Sequence, residues 1–332
     1  MVAKKINTRK LFITLGILVV LLAYFIIVEL PRKPDEEEKD RIFQFVLADV
    51  NKFEIIKNDS IIEVERMIND WRISKPRVLS ASKIDVDAYI SDIKDLIIEK
   101  VVGENLPDLA VYGLDKPKLI LNVFTGKGKN QKMYRLSIGN QNPDFSGFYA
   151  KLENDPRLVI LENFTESIID KDVFYFRDKD IFKVKVTDVK EIDLSLDKTR
   201  YRLQREEGPW RLTKPVIKTN LKEEQVTRIL LPLSELKARK YYDGPLKVSL
   251  AQTSLLFPPI TIRLKADRSY TLTVGNEVKN EGVYYAKWTD NDLIFSIDKM
   301  IIDDLKKNMV ELTMIEKEDK TMPVSQTNGG KQ

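Results

Sequence analysis

The residue types that most enzymes use for nucleophilic or metal chemistry are missing from this sequence. Its 332 residues include no Cys and no His, which removes thiolate nucleophiles, imidazole bases and the commonest zinc ligands. Carboxylate, Lys, Tyr and hydroxyl chemistry remains. The 55 basic and 51 acidic residues give a net charge of +4, so no overall field favours nucleic acid or a strongly acidic substrate. The sequence therefore predicts no cofactor, no metal site and no catalytic group.

A glycine- and lysine-rich segment, "FTGKGKNQK" from Phe124 to Lys132, is a first candidate for binding chemistry. A phosphate-binding loop needs GxxxxGK[ST] between a strand and a helix, so that backbone N–H groups converge on the phosphate. A β-rich run follows here instead, which favours a hairpin turn with solvated lysines. Lys127 and Lys129 stay candidates for contact with lipid headgroups or a protein partner.

Two groups of carboxylates are weaker candidates. Four acidic residues lie on the polar face of a predicted amphipathic helix and are interpreted as solvated rather than catalytic: Asp85, Asp87, Asp92 and Asp95. The segment "TDND", residues 289–292, lacks the later Gly and Glu of a calcium loop and predicts a turn.

Aromatic residues and one distinctive turn supply the other candidate contacts. Alternation along "VYYAKW" places Tyr284 and Trp288 on one face of a strand, which is either core or, if exposed, a partner surface. The turn "YGLDKP" is matched later in the chain only by "SLLFPP". A turn leading into a strand is the favoured interpretation, and Tyr112 and Asp115 are candidates for a contact made once per chain.

The elements that must position these residues occur twice. "WRISKP" begins at Trp71 and "WRLTKP" at Trp210, and positions 71 and 210 are 139 apart. "LSIGN" and "GFYAK" then recur as "LTVGN" and "GVYYAK" in the same order. Landmarks that recur in one order indicate a duplicated domain. Equivalent places in both copies favour a core position for both Trp side chains over ligand stacking.

Each copy predicts an α+β fold, so the chain would contain two tandem homologous domains of mostly antiparallel sheet with one principal helix each. In copy one, a helical stripe is formed by Val86, Ile90, Ile93 and Ile97. In copy two, Asn220 is the predicted N-cap, and the stripe is formed by Val226, Leu230 and Leu233. Strands joined by Gly, Asn, Asp and Pro turns follow as a meander. A short terminal helix closes each copy, near residues 164–171 and 299–308.

Residues 11–30, "LFITLGILVVLLAYFIIVEL", form an apolar run with one charge at its far edge. A helix of that length spans roughly 30 Å, the thickness of a bilayer's hydrocarbon core. Lys and Arg residues precede the run and an acidic segment follows it, which predicts a cytoplasmic N-terminus. An uncleaved signal anchor is favoured over a signal peptide, whose apolar region is shorter and ends at a small-residue cleavage site.

These features divide the chain into six predicted segments. They are a cytoplasmic N-terminus (1–10), a transmembrane signal anchor (11–30), a charged linker (31–40), repeat domain 1 (41–177), repeat domain 2 (178–312) and a disordered tail (313–332). The predicted location is the bacterial cytoplasmic (inner) membrane, with the chain after about residue 31 outside the cytoplasm. The tail is assigned as disordered because it is polar and lacks periodicity.

The series "WRISKP", helix, "YGLDKPKLILNV", "LSIGN", "GFYAK" and "FRDKDIF" resembles the bacterial domain-of-unknown-function family 4340. The resemblance covers both copies, from Phe43 to Leu312. It implies a membrane-anchored extracytoplasmic protein that is associated with an ABC transporter of the gliding-motility type and with that transporter's exported auxiliary subunit. It brings no established catalytic residues.

The resulting hypothesis is a non-enzymatic accessory subunit that packs against an ABC-transporter permease or its exported auxiliary subunit. The alternative is a cell-envelope module that binds glycan or lipid through exposed aromatic side chains such as Tyr284 or Trp288. A hydrolase with a carboxylate pair comes third. Nucleic acid is not an expected partner, and the sequence identifies no small-molecule substrate.

Overall fold

A computed structural model of the chain describes residues 17–19, 22–24, 40–216, 220–243, 248–289 and 293–319, with side chains up to residue 314. Its contacts divide the chain into two compact units, Met1–Phe176 and Arg177–Gln332, which we call unit 1 and unit 2. Each unit has its own sheet and its own large buried core.

The described strands of unit 1 form one nine-stranded antiparallel sheet. Their bounds are β1 Val50–Lys57, β2 Ser60–Arg66, β3 Trp71–Lys75, β4 Leu79–Ser80, β5 Ile98–Glu104, β6 Leu119–Thr125, β7 Lys132–Gln141, β8 Gly147–Leu152 and β9 Arg157–Glu162. The order across the sheet is β4-β3-β2-β1-β6-β7-β8-β9-β5.

Between residues 40 and 176, the α-helices of unit 1 are α1 Lys83–Lys94, α2 Thr165–Ile169 and α3 Val173–Phe176. The Ser82 hydroxyl caps α1 by accepting a hydrogen bond from the Asp85 N–H at 3.3 Å, which satisfies one of the free N–H groups of the first turn. The buried face of α1 consists of Val86, Tyr89, Ile90 and Ile93. Because α1 ends at Lys94, the predicted fourth member of its stripe, Ile97, lies beyond the helix.

The described strands of unit 2 form an eight-stranded antiparallel sheet. Their bounds are β10 Glu191–Leu196, β11 Thr199–Gln204, β12 Arg211–Lys214, β13 Lys240–Tyr241, β14 Ile260–Lys265, β15 Ser269–Val278, β16 Val283–Trp288 and β17 Ile294–Asp298. Their order, β12-β11-β10-β14-β15-β16-β17-β13, repeats that of unit 1 without a described equivalent of β4. The two antiparallel sheets confirm the predicted pair of sheet-rich domains.

Unit 2 departs from the prediction of one principal helix, because α4 Glu223–Ser234 packs against a second long helix, α5 Lys299–Asp319. The predicted terminal helix and the predicted tail boundary at residue 313 are therefore wrong over residues 309–319. The helix continues because its buried apolar stripe continues, through Ile302, Leu305, Met309 and Leu312. The rest of the predicted tail, 320–332, lies outside the described residues.

The start of α4 is also a correction. Asn220 is not the N-cap, because Leu221 is buried and its N–H donates to the Trp210 carbonyl at 2.8 Å, which extends the strand pairing past Asn220. Lys222 precedes the helix, and its backbone N–H donates to the Gln225 side chain at 2.8 Å. In a capping box the side chain of the third helical residue, here Gln225, accepts from the backbone N–H of the residue before the helix, here Lys222.

The side chains of Trp71 and Trp210 lie in the cores of their units, as predicted. Each lies under an arginine from the preceding strand region, with the Arg66 guanidinium 4.4 Å from the Trp71 ring centroid and the Arg205 guanidinium 5.1 Å from that of Trp210. In each unit the strand next to the tryptophan then ends immediately before a proline, which has no N–H for the ladder.

Most of the predicted anchor, residues 11–30, lies outside the described residues, as does the linker up to residue 39. Residues 17–19 and 22–24 are helical and exposed. Within the part of the chain that the structure describes, no helix is both long and apolar enough to cross a bilayer.

Candidate functional site

The turn that contains Tyr112 and Asp115 lies directly on the sheet of unit 1. A single 3-10 turn, Ala110–Tyr112, ends at Gly113, whose φ of 69° is left-handed. The Tyr112 ring packs edge-to-face on Tyr149 at 4.8 Å between centroids. A Cβ on Gly139 of β7 would stand 2.1 Å from the Tyr112 carbonyl oxygen, so the glycine of "LSIGN" is required by the close approach of this turn.

Unit 2 forms the same turn, although the two turn sequences differ. Ser254 takes the left-handed position with φ 57°, and a Cβ on Gly275 would stand 1.9 Å from the Thr253 carbonyl oxygen. The turn therefore matches Gly113 with Ser254, whereas the sequence comparison had matched Tyr112 with Ser254. The one-residue error arose because neither turn sequence shows which residue has the positive φ.

The difference between the two turns lies in the chemistry of their exposed residues. Asp115 and Lys116 are exposed in unit 1. The equivalent residues in unit 2 are Leu256, which is 57% exposed, and Phe257, which is 85% exposed. Sequence reasoning missed this apolar pair. A usable signal was present, since two large apolar residues directly before a Pro-Pro pair are unusual in a surface turn.

Lys127 and Lys129 lie in the loop between β6 and β7, where both side chains are exposed. The loop contains a 3-10 turn, Gly128–Asn130, and the Asn51 side-chain amide donates a hydrogen bond to the Gly126 carbonyl. Because β6 precedes the segment and β7 follows it, the segment is the hairpin connection that the sequence favours. It presents two solvated cations.

Tyr284 and Trp288 lie on the core face of β16, which is the first of the two alternatives that the sequence left open. Trp288 packs edge-to-face on Phe182 at 5.5 Å between centroids. The Tyr284 hydroxyl donates to Asp303 of α5 at 3.2 Å, and burial together with the Asp303 charge raises the pKa of Tyr284. Both rings are half-buried against the unit 2 core because α5 covers this face of the sheet.

Two of the four acidic candidates, Asp87 in α1 and Asp95 directly after it, have structural roles that sequence reasoning did not assign. The Trp71 indole N–H donates to Asp87 at 2.9 Å, and Asp95 forms an ion pair with Arg41 at 3.2 Å. Among the described residues, no group of three or more Asp, Glu, His or Cys side chains is placed to hold a metal ion. The predicted turn at residues 289–292 lies outside the described residues beyond Thr289.

A network of charges covers part of the outer face of the unit 1 sheet. We call it the lysine–glutamate cluster: Lys52, Glu54, Glu63 and Lys75. Lys52 Nζ lies 2.9 Å from Glu54 and 3.6 Å from Glu63, and the Ser74 hydroxyl donates to Glu63 at 2.6 Å. Burial alone would raise the pKa of Glu63, but hydrogen bonds from Ser74 and Lys75 and the Lys52 charge lower it to about 2.

The equivalent face of unit 2 carries the arginine–aspartate cluster: Glu191, Asp193, Arg200 and Arg202. Asp193 is only 6% exposed and accepts from Arg200 at 2.7 Å and from Arg202 at 2.6 Å. Burial would raise the pKa of Asp193, and the two guanidinium groups lower it below its usual value. The strand registers place Arg202 opposite Asp193 as Glu63 lies opposite Glu54, so the charge at that position is reversed between the units.

These observations define a class of protein: two copies of one antiparallel sheet-and-helix unit, alike in their cores and different in their exposed chemistry. A family described as Domain of unknown function (DUF4340) matches residues 71–253, which is more than half of the 332 residues. The chain belongs to this family. The match begins in unit 1 and ends in unit 2, so it includes parts of both copies. No curated protein matches the chain, and no solved structure does.

Proposed function

We propose that this protein is a non-enzymatic, membrane-anchored extracytoplasmic accessory subunit of an ABC-transporter assembly of the gliding-motility type. In this proposal unit 1 and unit 2 bind different partners, the permease and the exported auxiliary subunit. The observation that carries the proposal is the charge reversal between equivalent outer faces of two otherwise similar units, at Glu63 and Arg202.

Charge patterns on equivalent faces bear on partner choice because like charges brought together at an interface cost free energy and opposite charges guide association. The lysine–glutamate cluster has a Lys at position 52 and a Glu at position 63, whereas the arginine–aspartate cluster has Glu191 and Arg202 in the equivalent places. A partner that fits one face is mismatched at these places on the other. One chain thus offers two non-identical surfaces, which is what a bridging subunit requires.

Two further features support the membrane and transporter parts of the proposal. The apolar run at residues 11–30 has the length and flanking charges of a signal anchor. Similarity to proteins associated with gliding-motility-type transporters adds an argument by analogy, because fold alone does not imply function. The alternative, an envelope module that binds glycan or lipid through Tyr284 or Trp288, loses support because both rings pack on the core face.

The first test is co-purification. The tagged full chain would be solubilised from its native membrane in mild detergent, cross-linked, and its partners identified by mass spectrometry. We expect permease and ATPase subunits to be recovered, and to be lost when residues 11–30 are replaced by an unrelated anchor or when the two units are deleted. Recovery of the chain with envelope glycan or lipid alone would reject the accessory-subunit proposal and favour the alternative.

A matched pair of variants tests whether the two faces bind different partners. Lys75 in unit 1 and Arg200 in unit 2 have side chains that are each 51% exposed, so Lys75→Gln and Arg200→Gln remove equally accessible cations. We expect each variant to reduce the recovery of a different cross-linked partner. Equal loss of every partner in both variants, or no loss in either, would contradict the two-surface arrangement.

A further inference from the structure

The residues Leu256 and Phe257 form an exposed apolar projection on unit 2, which we call the apolar tip. Phe257 is 85% exposed and Leu256 57% exposed. The equivalent positions of unit 1 carry Asp115 and Lys116, on a turn of the same shape. The turn of unit 1 thus shows that this turn shape does not require apolar residues at the two exposed positions.

The backbone on both sides of the apolar tip is held in place. The Leu255 N–H and the Leu256 N–H both donate to the Leu250 carbonyl, at 3.0 and 3.3 Å, and the Leu255 side chain is buried beside Tyr242 and Ile294. Two prolines follow the tip, and the Pro259 carbonyl accepts from the Asp197 N–H at 2.9 Å. Little conformational entropy is therefore lost when the tip is buried against another surface.

Two lysines and one aspartate lie on or against the turn that bonds to the segment directly after the tip. The Asp197 backbone that bonds Pro259 belongs to the turn between β10 and β11, and the next residue, Lys198, is exposed. Lys306 of α5 reaches the Asp197 carboxylate at 3.2 Å. Two lysines against one aspartate leave this neighbourhood with a net charge of +1. An apolar projection near net positive charge has the composition of a segment that enters the interfacial layer of an anionic bilayer.

We propose that the apolar tip inserts into the interfacial layer of the bilayer to which residues 11–30 anchor the chain. The inference rests on the anchoring part of the proposed function and is independent of any transporter subunit. Two side chains of this size can bury only about 300 Å² of apolar surface, well below the roughly 800 Å² per partner of a stable protein interface. A small apolar insertion gives marginal attachment alone and becomes effective as a second signal beside an anchor.

The absence of cysteine from the chain makes the test direct, because a single introduced cysteine is the only site a thiol-reactive nitroxide can label. Phe257→Cys and, as the matched control in unit 1, Lys116→Cys would be labelled in the full chain. Each would be reconstituted in vesicles of phosphatidylethanolamine and phosphatidylglycerol, without other proteins. Spin-label relaxation by dissolved oxygen, which concentrates in the bilayer, would be compared with relaxation by a water-soluble nickel chelate.

We expect the label at position 257 to have an oxygen-to-nickel accessibility ratio several-fold higher than the label at position 116. Leu256→Asp in the Phe257→Cys chain should lower that ratio toward the control value, because it gives the tip the residue type that unit 1 has at the equivalent position, Asp115. Equal nickel accessibility at both positions would overturn the proposal. So would a label at 257 that is shielded from both reagents, which would indicate a protein contact.

Vesicle flotation separates failure of the tip from failure of the anchor. A chain that floats with the vesicles but keeps position 257 in water overturns the tip proposal alone. A chain that does not float overturns the anchoring, and the tip proposal with it. Co-purification of transporter subunits is measured separately, in native membranes. If no subunit is recovered but the label at position 257 still enters the vesicle bilayer, the accessory-subunit proposal fails and the tip proposal stands.

Discussion

Trp71 and Trp210 occupy equivalent places in the two units, yet their indole N–H groups differ. The Trp71 indole N–H donates to Asp87 at 2.9 Å, whereas that of Trp210 is buried and has no hydrogen-bond partner among the described residues. The residue of α4 that corresponds to Asp87 is Thr227, whose hydroxyl donates to the Glu223 carbonyl at 2.9 Å. Both units thus bury the indole ring, but the acceptor for its N–H is found in unit 1 and not among the described residues of unit 2. The burial of apolar area stabilises the fold more than a single hydrogen bond does.

The two tight turn–sheet contacts show the opposite behaviour, since both units keep their glycine. Gly139→Ala and Gly275→Ala should have the largest effects, each destabilising its own unit by about 2–4 kcal/mol, because the added Cβ meets a backbone carbonyl that cannot move without displacing the turn. The free energy of unfolding would be measured by urea titration with hydrogen exchange of peptides from each unit. Gly128→Asn, where nothing lies within 4 Å of the added Cβ, is the control, and an equal loss in all three variants would reject the explanation.

The charge clusters should come next in size, with the larger effect in unit 2. Asp193→Asn is expected to destabilise unit 2 by about 2–3 kcal/mol, because it leaves Arg200 and Arg202 without their shared carboxylate. Glu54→Gln in unit 1 should cost less than about 1 kcal/mol. The Asn122 side-chain amide donates to the Glu54 carboxylate at 2.8 Å in the native protein, and the amide oxygen of Gln can accept the same hydrogen bond. The same urea titration compares the two variants. Equal costs would show that the two clusters are energetically alike despite their different charges.

Acid should affect the lysine–glutamate cluster through Glu63. Its folded pKa of about 2 lies below the ordinary value of 4.5, so its contribution is fully present above the unfolded pKa and is lost as the pH falls from about 5 to about 2. After allowance for screening by solvent, we expect that contribution to be about 1–2 kcal/mol. Glu63→Gln should flatten the dependence of unit 1 stability on pH across that window. An unchanged slope would show that Glu63 is not stabilised in this way.

The last expected effects, of about 2 kcal/mol or less, concern Trp71 and Trp210. Asp87→Ala should destabilise unit 1 by about 1–2 kcal/mol, because it leaves the buried Trp71 N–H unpaired. Thr227→Asp should stabilise unit 2 by up to about 1 kcal/mol if the new carboxylate reaches the Trp210 N–H. Thr227→Val is the control that removes the hydroxyl without adding an acceptor. Thermal unfolding followed by tryptophan fluorescence would report both changes, and stabilisation by Val equal to that by Asp would remove the hydrogen bond as the cause.

Much of the fold could be predicted because it is encoded locally. The apolar stripe of α1 is readable from a spacing of three and four residues, and its buried members Val86, Ile90 and Ile93 are confirmed. The turns and strand runs that form the two antiparallel sheets are equally local signals. Ile97 and Asn220 were misplaced because helix ends depend on contacts with other segments, such as the bond from Leu221 to the Trp210 carbonyl.

The candidate contacts were harder to predict, because strand periodicity shows that two faces exist but not which one another element covers. Tyr284 and Trp288 share a face in the sequence pattern, and only the packing of α5 decides that this face belongs to the core. The apolar tip was missed for a related reason. Its equivalence to Asp115 and Lys116 emerges only when the left-handed residues Gly113 and Ser254 are matched.

The sequence by itself determined the duplication, the antiparallel character of each copy, the burial of both tryptophans and the membership of the family. These properties follow from periodicity and from landmarks that lie close together along the chain. The tertiary structure alone decided that Asp193 lies between two arginines, that Trp210 lacks the partner that Trp71 has, and that Leu256 and Phe257 project from unit 2. Each depends on register and packing between distant segments, and these are set by the whole fold rather than by any local pattern.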